Sequence, residues 1–527
     1  MQNDLKGIVS IRCDYPGGNV KVHSITPGCA QVDADLRDTM TNWFYWNFEV
    51  EALEPGNVSF CFPVNRWMIS RQGPAVSRDG GRSWEWLGRE NVRFHGSEDP
   101  EQPCDCFDWE FTRAGEKVRF AQGIPYLLQD FEDFYSTVAS SPYLIRSVLT
   151  KTRQGREVPL LVIGSGAQNM LITARHHCCE AMASHALEGF LAEVLSDSPA
   201  AEEFRRKYTL YAIPFMDMDG AENGDQGKNR APHDHNRDYG LAAPIYPENK
   251  ALMALDREKK FTLCLDFHDP AVRYDAHELL YFGGFSTPSN RANTRELKAW
   301  LDEELPVEIN PIVYHYPDHD TAPAVTLPIT EGDGIPSSLY FTVIPTITYG
   351  TTVEIAYATV NRRFNEKSSR KIGRAFLKAV LKTTFSKSGD ARTAYRDYCA
   401  FRDSQDETSA RNALLKNDLP EHYRIAANLK IAKMSDDPAE ICRICQDVID
   451  SPYAMTQQKY EAAGLMTAAR INDPGLPDWI GTMIREDLLA DQAVDVLTAA
   501  GKDGLVPDIR FYSRAIYADI PREPGTY

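Results

Sequence analysis

The pattern of hydrophobic and polar positions divides the chain into three zones. In residues 1–130, short runs of aromatic and β-branched residues alternate with polar positions, as at 42–51, 57–63 and 117–120. Turn clusters such as 79–81 separate these runs. Alternation with a period of two, broken by frequent turns, is typical of a sandwich of antiparallel strands. We therefore expect an all-β sandwich domain at 1–130.

The second zone, residues 135–388, alternates apolar runs with amphipathic stretches, which predicts an α/β sandwich around a central sheet. Strand-like runs lie at 159–164, 170–173, 209–214 and 261–267, and helix-like stretches lie at 181–195 and 363–383. The third zone, residues 389–527, is rich in Ala, Leu, Asp and Arg at helical spacing. It predicts an all-α region that serves packing or oligomerisation.

Composition narrows the classes of function. The 527 residues include 43% hydrophobic and 25% charged residues, and the formal net charge is −18. An acidic chain repels phosphate backbones, so we expect no nucleic-acid partner. We also expect no membrane association, because the chain lacks a dense basic stretch, a secretory leader pattern and an apolar run long enough to span a bilayer.

The cysteines predict a reducing compartment. There are 11 of them at irregular spacings, which indicates reduced thiols and a cytoplasmic location. Cys442 and Cys445 fall in a helical pattern without a second pair at zinc-finger distance, so we interpret them as helix packing residues. Cys178 and Cys179 are adjacent, and we interpret them as small apolar packing residues.

The first candidate for metal chemistry is the segment 174–180, ARHHCCE, between a strand-like and a helix-like run. Hydrolytic zinc sites use three protein ligands and keep one position open. His177 and Glu180 lie three residues apart, a spacing that can direct both side chains to one point at a strand-to-helix junction. The pair alone is weak evidence, because His95 and Glu98 have the same spacing in a predicted loop of the β zone.

Three later segments strengthen the first pair by their order. Asn236 and Arg237 come near the end of a polar segment. An apolar strand then delivers His268 at its carboxyl end, and Glu354 follows in a second apolar run. A carboxylate buried in apolar sequence is costly without a purpose. Such a group is expected to have a raised pKa and to suit general-base catalysis.

In this order, the motifs resemble those of the M14 zinc carboxypeptidase family, and within it the cytosolic carboxypeptidase branch. The surrounding sequence is similar too, with AR before the HxxE, DMDG before the Asn-Arg pair and DFH at the third ligand. Residues 118–131, VRFAQGIPYLLQDF, resemble the segment that joins the β-sandwich to the peptidase domain in that branch. The resemblance covers about 1–385 and implies a carboxypeptidase-like, mixed-sheet α/β/α domain after the β-sandwich.

The resemblance implies a catalytic zinc centre. His177, Glu180 and His268 would hold one Zn²⁺ per chain. The metal would polarise the scissile carbonyl and lower the pKa of its bound water toward ~7. Glu354 would then accept the proton of that water and pass it to the leaving amine.

The resemblance also implies a substrate site for a peptide or an amino-acid conjugate. Arg237, oriented with Asn236, would pair with the terminal carboxylate through its planar fork. Arg230 would stabilise the developing oxyanion. Lys228 is the alternative for that role, because Arg230 is closer to Asn236 than the family pattern leads us to expect.

The specificity position departs from the glutamate-removing members of the branch. Those members are expected to carry a basic residue in the stretch before the catalytic glutamate, where this chain has Ser337, Ser338 and Leu339. A small or neutral terminal residue therefore fits at least as well as a glutamate. Tyr340 and Tyr349 are alternatives for the family's tyrosine near the substrate carboxylate, and either can be a core residue.

Two other functions stay open. An amidohydrolase of the desuccinylase or aspartoacylase type has similar ligands and a similar Asn-Arg pair, although the upstream β-sandwich favours the peptidase. A non-catalytic binding module on this fold would usually have lost a ligand or the base, and this chain keeps them all. Around the metal we expect His176 to face away, and Asp266 or Asp269 to orient His268.

Overall fold

The structure is a computed structural model that describes the greater part of the chain. The described residues are 8–64, 68–70, 72–93, 104–239, 243–270, 280–283, 288–305, 313–315, 336–343, 347–357, 364–385, 408, 411, 421–451, 456–485, 488–489 and 491–506. His95 and Glu98, the second pair with the HxxE spacing, lie outside these residues, as does the predicted boundary between 388 and 389.

Short strands form two sheets in the described part of the N-terminal zone. They are β1 (Val9–Arg12), β2 (Lys21–Thr26), β3 (Cys29–Asp33), β4 (Asn47–Ala52), β5 (Gly56–Phe62), β6 (Ala75–Ser77), β7 (Glu85–Trp86), β8 (Val92–Arg93), β9 (Asp105–Phe111) and β10 (Lys117–Ala121). One sheet has the order β1-β4-β10-β6-β7, and the other has the order β2-β3-β5-β9-β8.

Buried aromatic rings fill the space between these two sheets. Phe48 of β4 and Phe120 of β10 come from one sheet, and Phe60 of β5 and Phe107 of β9 come from the other. The ring centroids of Phe107 and Phe120 are 5.0 Å apart, and those of Phe60 and Phe120 are 5.3 Å apart. Because successive strand residues point to opposite faces, the period-two pattern turns these rings inward and their neighbours outward.

The central zone alternates strands with helices and contains one mixed sheet. The elements are α1 (Leu128–Val138), β11 (Leu144–Lys151), β12 (Glu157–Ile163), β13 (Gln168–Ala174), α2 (Ala181–Val194), α3 (Pro199–Lys207), β14 (Tyr208–Ile213), α4 (Met218–Asn223), α5 (Pro247–Lys259), β15 (Leu263–His268), β16 (Leu280–Gly283), α6 (Pro288–Glu304), β17 (Val313–His315), α7 (Ser337–Val343), β18 (Tyr349–Glu354) and α8 (Glu366–Lys382). The described strands have the order β11-β12-β14-β13-β15-β18-β16-β17. The mixed α/β class predicted from the sequence is confirmed.

The centre of this sheet places the candidate site. Strands β14, β13, β15 and β18 are neighbours and run parallel. The carboxyl ends of parallel strands meet at one edge of a sheet, where ligands of α/β proteins commonly bind. His268 ends β15 and Glu354 ends β18, and the two residues are direct partners in the strand register. The segment after β13 reaches the same edge.

Helices α2 and α8 pack closely against each other because glycines lie where the two helices cross. A Cβ atom added to Gly373 of α8 would lie 1.8 Å from the carbonyl oxygen of Ala186 in α2. One added to Gly189 of α2 would lie 2.0 Å from the carbonyl oxygen of Arg370 in α8. Any larger residue would therefore force the helices apart. This contact fixes α2, whose first turn follows the HxxE segment.

The C-terminal zone contains helices with a hydrophobic cluster of their own. The helices are α9 (Glu421–Met434), α10 (Pro438–Asp450), α11 (Thr456–Ala469), α12 (Leu476–Arg485) and α13 (Asp491–Ala499). Cys445 is buried in this cluster and Cys442 packs against it, as expected for helix packing residues. Among the described residues, no helix combines the length and apolar character needed to cross a membrane. Oligomerisation through this zone stays a prediction.

Candidate active site

Arg175 shapes the loop that carries the first two candidate ligands. It follows β13 with a backbone φ of 66°, a left-handed value that is uncommon for residues other than glycine. Its buried guanidinium donates hydrogen bonds to the carbonyl of Cys178 at 2.7 Å and to that of Tyr126 at 2.7 Å. These bonds hold the loop between β13 and α2, from which His177 and Glu180 project.

His177, Glu180 and His268 bring their donor atoms together. Glu180 Oε1 lies 2.7 Å from His177 Nδ1, and Glu180 Oε2 lies 2.7 Å from His268 Nδ1. One ligand atom from each residue lies within 4.8 Å of the other two, and all three residues are buried. The three residues predicted as ligands therefore form one cluster, although they come from a loop and from the end of a neighbouring strand.

This donor set suits a zinc ion. Imidazole nitrogen and carboxylate oxygen are typical zinc ligands, and three protein ligands leave a position for water or substrate. Burial lowers the pKa of His177 to about 4, which keeps that imidazole neutral, as metal binding requires. Against the effect of burial, the two imidazoles hold the pKa of Glu180 below its usual range, so its carboxylate is charged. His177 Nε2 is buried without a hydrogen-bond partner in the described part of the chain.

Asp266 lies behind the cluster and connects two histidines. Its Oδ2 is 2.8 Å from His268 Nε2, and its Oδ1 is 2.8 Å from His176 Nδ1. The hydroxyl of Thr173 donates a further hydrogen bond to Oδ1 at 2.7 Å. A carboxylate on the far nitrogen of a metal ligand fixes the tautomer and the ring orientation. His176, which we expected to face away, instead takes part in this network through Asp266.

Asp269 has a different place from Asp266. Its Oδ2 accepts a hydrogen bond from the backbone amide of Met182 at 2.8 Å, in the first turn of α2. A carboxyl group there satisfies an amide that the helix itself leaves unpaired. Of the two aspartates expected to orient His268, Asp266 therefore has the geometry for that role, and Asp269 caps α2.

Glu354, the predicted general base, has the electrostatic properties that the role needs. Its side chain is largely buried at the end of β18, beside His268 in the strand register. Burial raises the pKa of Glu354 to about 7, and the charge of Glu180 adds to this shift. The positive charge of Lys228, and that of His268 when it is protonated, act in the opposite direction. A carboxyl group with a pKa near neutrality can both accept and release a proton at working pH.

Arg230, predicted to stabilise the oxyanion, is held by three carboxylates. Its Nη1 donates to Asp217 at 2.6 Å, its Nε donates to Asp38 at 2.9 Å, and its Nη2 donates to Asp225 at 3.3 Å. Because each of its nitrogens is bound to a carboxylate, this arrangement does not fit the predicted role. The prediction failed because one partner of Arg230, Asp38, belongs to the β-sandwich zone. The spacing of residues around Arg230 contains no sign of that contact.

Asp38 holds the whole loop that contains Arg230. Its Oδ1 accepts a hydrogen bond from the backbone amide of Gln226 at 2.9 Å, and its Oδ2 accepts one from Gly227 at 2.9 Å. The Gln226 side chain in turn accepts a hydrogen bond from the amide of Tyr45 at 2.8 Å. The β-sandwich zone thus determines the conformation of the loop immediately before Lys228.

Lys228, the alternative to Arg230, acts electrostatically on two residues of the candidate site. Its positive charge lowers the pKa of Glu354 and contributes to the lowered pKa of His177. Its Nζ lies 5.1 Å from the ring centroid of Trp43, a cation–π distance. Trp43 also donates from its indole nitrogen to the sulfur of Cys179 at 3.4 Å. Sequence reasoning missed Trp43, because nothing local links it to the HxxE segment.

Asn236 and Arg237 lie on one helical turn, His235–Arg237, but have different contacts. Asn236 Oδ1 accepts a hydrogen bond from the backbone amide of Ser337 at 3.0 Å and lies 2.9 Å from the Ser337 hydroxyl. The single proton of that hydroxyl is donated to Asp266. Arg237 is half-buried, and within the described residues it forms no ion pair; its Nη1 donates to the Asn236 carbonyl at 3.2 Å. Arg237 therefore keeps donors that a carboxylate ligand can use.

The stretch expected to select the substrate is partly structural. Ser337 and Ser338 are buried at the start of α7, and the side chain of Leu339 lies outside the described residues. Ser337 connects Asn236 with Asp266, so it supports the site from within rather than lining a pocket. Sequence spacing could not show this, because Ser337 is separated by 101 residues from its partner Asn236.

The two candidate tyrosines are packing residues. The ring of Tyr340 packs with its centroid 4.9 Å from that of Tyr239. The hydroxyl of Tyr349 is buried 2.9 Å from that of Thr294. The hydroxyl of Tyr340 is hydrogen-bonded to Asp256 and that of Tyr349 to Thr294, so the core interpretation of both residues is the better one.

Tyr357 is a residue that sequence reasoning missed. Its hydroxyl is buried without a hydrogen-bond partner in the described part of the chain. Burial raises its pKa well above the usual range, and the charges of Asp269, Glu180 and Glu354 add to the shift. Tyr357 therefore keeps its proton close to the cluster. The available signal was its position three residues after Glu354.

Comparison with known proteins gives a consistent set of relatives. Residues 132–244 match the family model described as zinc carboxypeptidase. Cytosolic carboxypeptidase 2 of Mus musculus is 25% identical over 331 residues, which are 55% of this chain and 36% of that protein. Cytosolic carboxypeptidase 6 of Caenorhabditis elegans is 25% identical over 256 residues, which are 44% of this chain and 54% of that protein. The chain thus spans about a third to a half of these relatives.

Solved structures agree in fold. A metallo-carboxypeptidase from Pseudomonas aeruginosa, in complex with (2-guanidinoethylmercapto)succinic acid, is similar to this chain with a TM-score of 0.58 and 20% identity. The match covers 71% of this chain and 98% of that one. A metallo-carboxypeptidase from Burkholderia cenocepacia matches with a TM-score of 0.55 and 17% identity, over 71% of this chain and 98% of that one.

Proposed function

Because this chain belongs to the M14 family of zinc carboxypeptidases, we propose that it hydrolyses the C-terminal peptide or isopeptide bond of a peptide. The observation that carries the proposal is the convergence of His177, Glu180 and His268 at the sheet edge that also bears Glu354. This arrangement combines a donor set for zinc with a general base on the neighbouring strand.

The chemistry divides between the metal and the protein. Zinc held by His177, Glu180 and His268 would supply a Lewis acid for the scissile carbonyl and for the attacking water. Glu354 accepts the proton of that water and returns it to the leaving amine, which its pKa of about 7 permits. Asp266 keeps His268 in one tautomer through its Nε2.

Lys228 replaces Arg230 as the group that stabilises the developing oxyanion. Lys228 influences the charge of Glu354 and His177, whereas Arg230 is committed to Asp38, Asp217 and Asp225. An ammonium group close to a developing negative charge stabilises the transition state more than the neutral ground state. Lys228 therefore contributes to the rate of reaction more than to substrate binding.

Arg237 recognises the free carboxylate of the substrate. Its guanidinium is half-buried and hydrogen-bonded to the carbonyl of Asn236. A planar guanidinium can bind a carboxylate through two parallel hydrogen bonds. Asn236 acts as a positioning residue, because its side-chain oxygen is occupied by Ser337. The reaction is therefore confined to substrates with a free C-terminus.

The cytoplasm is the proposed location. The curated relatives are named cytosolic carboxypeptidases, and the thiols expected from the sequence suit a reducing compartment. The described part of the chain has no helix suited to a membrane span, which agrees with this proposal without carrying it.

A substrate panel tests the function. Peptides ending in small neutral residues, peptides ending in glutamate, glutamate-branched isopeptides and N-acyl amino acids are each incubated with the zinc-loaded protein and with Glu354→Gln. We expect release of C-terminal amino acids from peptides by the unmodified protein alone. C-terminally amidated copies of the same peptides should stay intact.

Two results would contradict the proposal. Hydrolysis of N-succinyl or N-acetyl amino acids without any peptide cleavage would assign the chain to the desuccinylase or aspartoacylase type. Zinc binding without turnover on any member of the panel would leave a binding module on this fold.

A further inference from the structure

Four cysteines of the β-sandwich lie together on one sheet, far apart in the sequence. Cys29 begins β3, Cys61 is in β5, Cys106 is in β9, and Cys104 comes just before β9. Strand β5 lies between β3 and β9, and Cys61 is directly opposite Cys106 in the register. Residue 31 of β3 lies opposite Cys61 and is two positions from Cys29. The side chains of Cys29 and Cys61 therefore point to the same face of the sheet. The same spacing relates Cys104 to Cys106.

This face is the one that points away from the aromatic core. In β5, the buried residues are Val58, Phe60 and Phe62, which alternate with the half-buried Cys61. In β3, Ala30 is buried and Cys29 is half-buried. Packing of small apolar side chains into the core therefore does not account for these cysteines, since the core lies on the other side of the sheet.

The separations of the sulfur atoms match a metal site. Cys29 Sγ lies 3.8 Å from Cys61 Sγ, and Cys104 Sγ lies 3.7 Å from Cys106 Sγ. The sulfurs of Cys61, Cys104 and Cys106 are all within 4.8 Å of one another, and Cys29 lies outside this group of three, next to Cys61. Four sulfurs arranged tetrahedrally around zinc at ~2.3 Å are about 3.8 Å apart, whereas a disulfide needs about 2.05 Å. The separations within the group of three thus agree with ligation, and the 3.8 Å between Cys29 and Cys61 places a fourth sulfur beside that group. The 3.8 and 3.7 Å separations are too long for disulfide bonds.

A cation lies beside the cluster, as a set of thiolates requires. Arg93 of β8 is the register partner of Cys106. Its guanidinium pairs with Asp108 and donates to Ser59 at 3.2 Å, on the same face. Zinc with four thiolates carries a net negative charge, and the positive charge of Arg93 acts against it, although Asp108 neutralises a part of that charge.

We propose that Cys29, Cys61, Cys104 and Cys106 bind a structural zinc ion with four sulfur ligands. Each thiol releases its proton to solvent on binding, and no oxidation occurs. A closed set of four protein ligands leaves no position for water, so the site is not catalytic. It cross-links three strands of the sheet whose β3 leads into the loop that carries Asp38. This site is independent of the proposed hydrolytic function.

Metal counting tests the proposal on the full chain, purified under reducing conditions and equilibrated with zinc. We expect two zinc ions per chain in the unmodified protein, one in Cys61→Ser and one in His268→Ala. Cys13→Ser is the matched control, because Cys13 belongs to the same sandwich but lies outside the cluster, and it should keep two. One zinc in the unmodified protein and in Cys61→Ser alike would overturn the proposal.

Cobalt substitution gives a second measurement that does not depend on a variant folding. Cobalt bound to four thiolates shows an intense sulfur-to-metal charge-transfer band, which a site of imidazole and carboxylate does not produce. We expect that band in the unmodified protein and in His268→Ala. Its absence from both would overturn the proposal. A disulfide between any two of the four cysteines, found by mass spectrometry in protein that binds one zinc, would also overturn the proposal. It would indicate a redox-active pair of cysteines instead.

Discussion

Two groups of side chains in the described part of the chain that could bind a metal ion differ in almost every respect. The first, His177, Glu180 and His268, lies at the carboxyl edge of parallel strands and combines nitrogen with oxygen donors. The second, the four cysteines, lies on the outer face of a β-sandwich sheet, where β5 pairs in parallel with β3 and antiparallel with β9, and it offers sulfur alone. The donor atoms and the number of ligands are the grounds on which we propose a catalytic role for the first group and a structural role for the second.

The side chains around the two clusters differ in the same way. Glu354, Lys228 and Tyr357 surround the first cluster with groups that can exchange or hold protons. The second has Arg93 beside it and no comparable base among the described residues. A catalytic site needs neighbouring side chains whose protonation state can change during the reaction. A structural metal site needs neighbours whose charge stays constant.

The largest effect should come from removing the base. Glu354→Gln keeps the size and polarity of the side chain but cannot accept a proton, so kcat should fall by about 10²–10⁴-fold. The zinc content should be unchanged, and Cys61→Ser should keep the catalytic rate per folded molecule. Steady-state kinetics with metal analysis measures both. Full turnover by Glu354→Gln would mean that another residue is the base, and the first cluster would lose the feature that distinguishes it most from the second.

Lys228→Met should lower kcat by about 10²–10³-fold, because it removes a charge that stabilises the transition state. Lys228→Arg retains the charge and should recover a large part of the rate. Arg230→Lys serves as the control, since Arg230 supports the loop: the midpoint of thermal unfolding should fall, with kcat per folded molecule little changed. The opposite ranking of the two positions would restore Arg230 to the oxyanion role.

Asp266→Asn should weaken zinc binding at the first cluster by about 10–100-fold, because it removes the carboxylate that orients His268. Competition with a chelator of known affinity measures this loss. The cobalt–sulfur band of the second cluster should be unaffected. A simultaneous loss of both metals would mean that the two clusters do not fold independently.

The smallest effect should be seen at Arg237. Arg237→Lys keeps the charge but loses one of two parallel hydrogen bonds, which should raise KM by about tenfold. kcat should change little, and the discrimination against C-terminally amidated peptides should weaken. Steady-state kinetics on matched free and amidated peptides would measure it. An unchanged KM would assign carboxylate recognition to another residue.

The first cluster could be predicted from the sequence because its signals are local. An apolar strand that ends in His268, a second that ends in Glu354 and an HxxE between strand and helix each predict a position at the same sheet edge. The order of these segments along the chain then distinguished His177 and Glu180 from the second pair with the same spacing, His95 and Glu98. Parallel strands convert that order into proximity.

The second cluster and the support of the first could not be predicted, since both depend on pairings across the fold. Cys29, Cys61 and Cys106 become neighbours only through the register of β3, β5 and β9. Arg230 is separated by 192 residues from Asp38, its partner in the β-sandwich zone. Patterns of spacing within one segment contain no information about such distant partners.

The contact of Asp38 with the loop before Lys228 also determines how the chain can be divided. A fragment that began at residue 132, where the family match starts, would lose the hydrogen bonds that Asp38 accepts from Gln226 and Gly227. Arg230 would lose one of its three carboxylates in the same cut. A truncation designed from sequence similarity alone would therefore remove a residue that supports the loop before Lys228 in the candidate site.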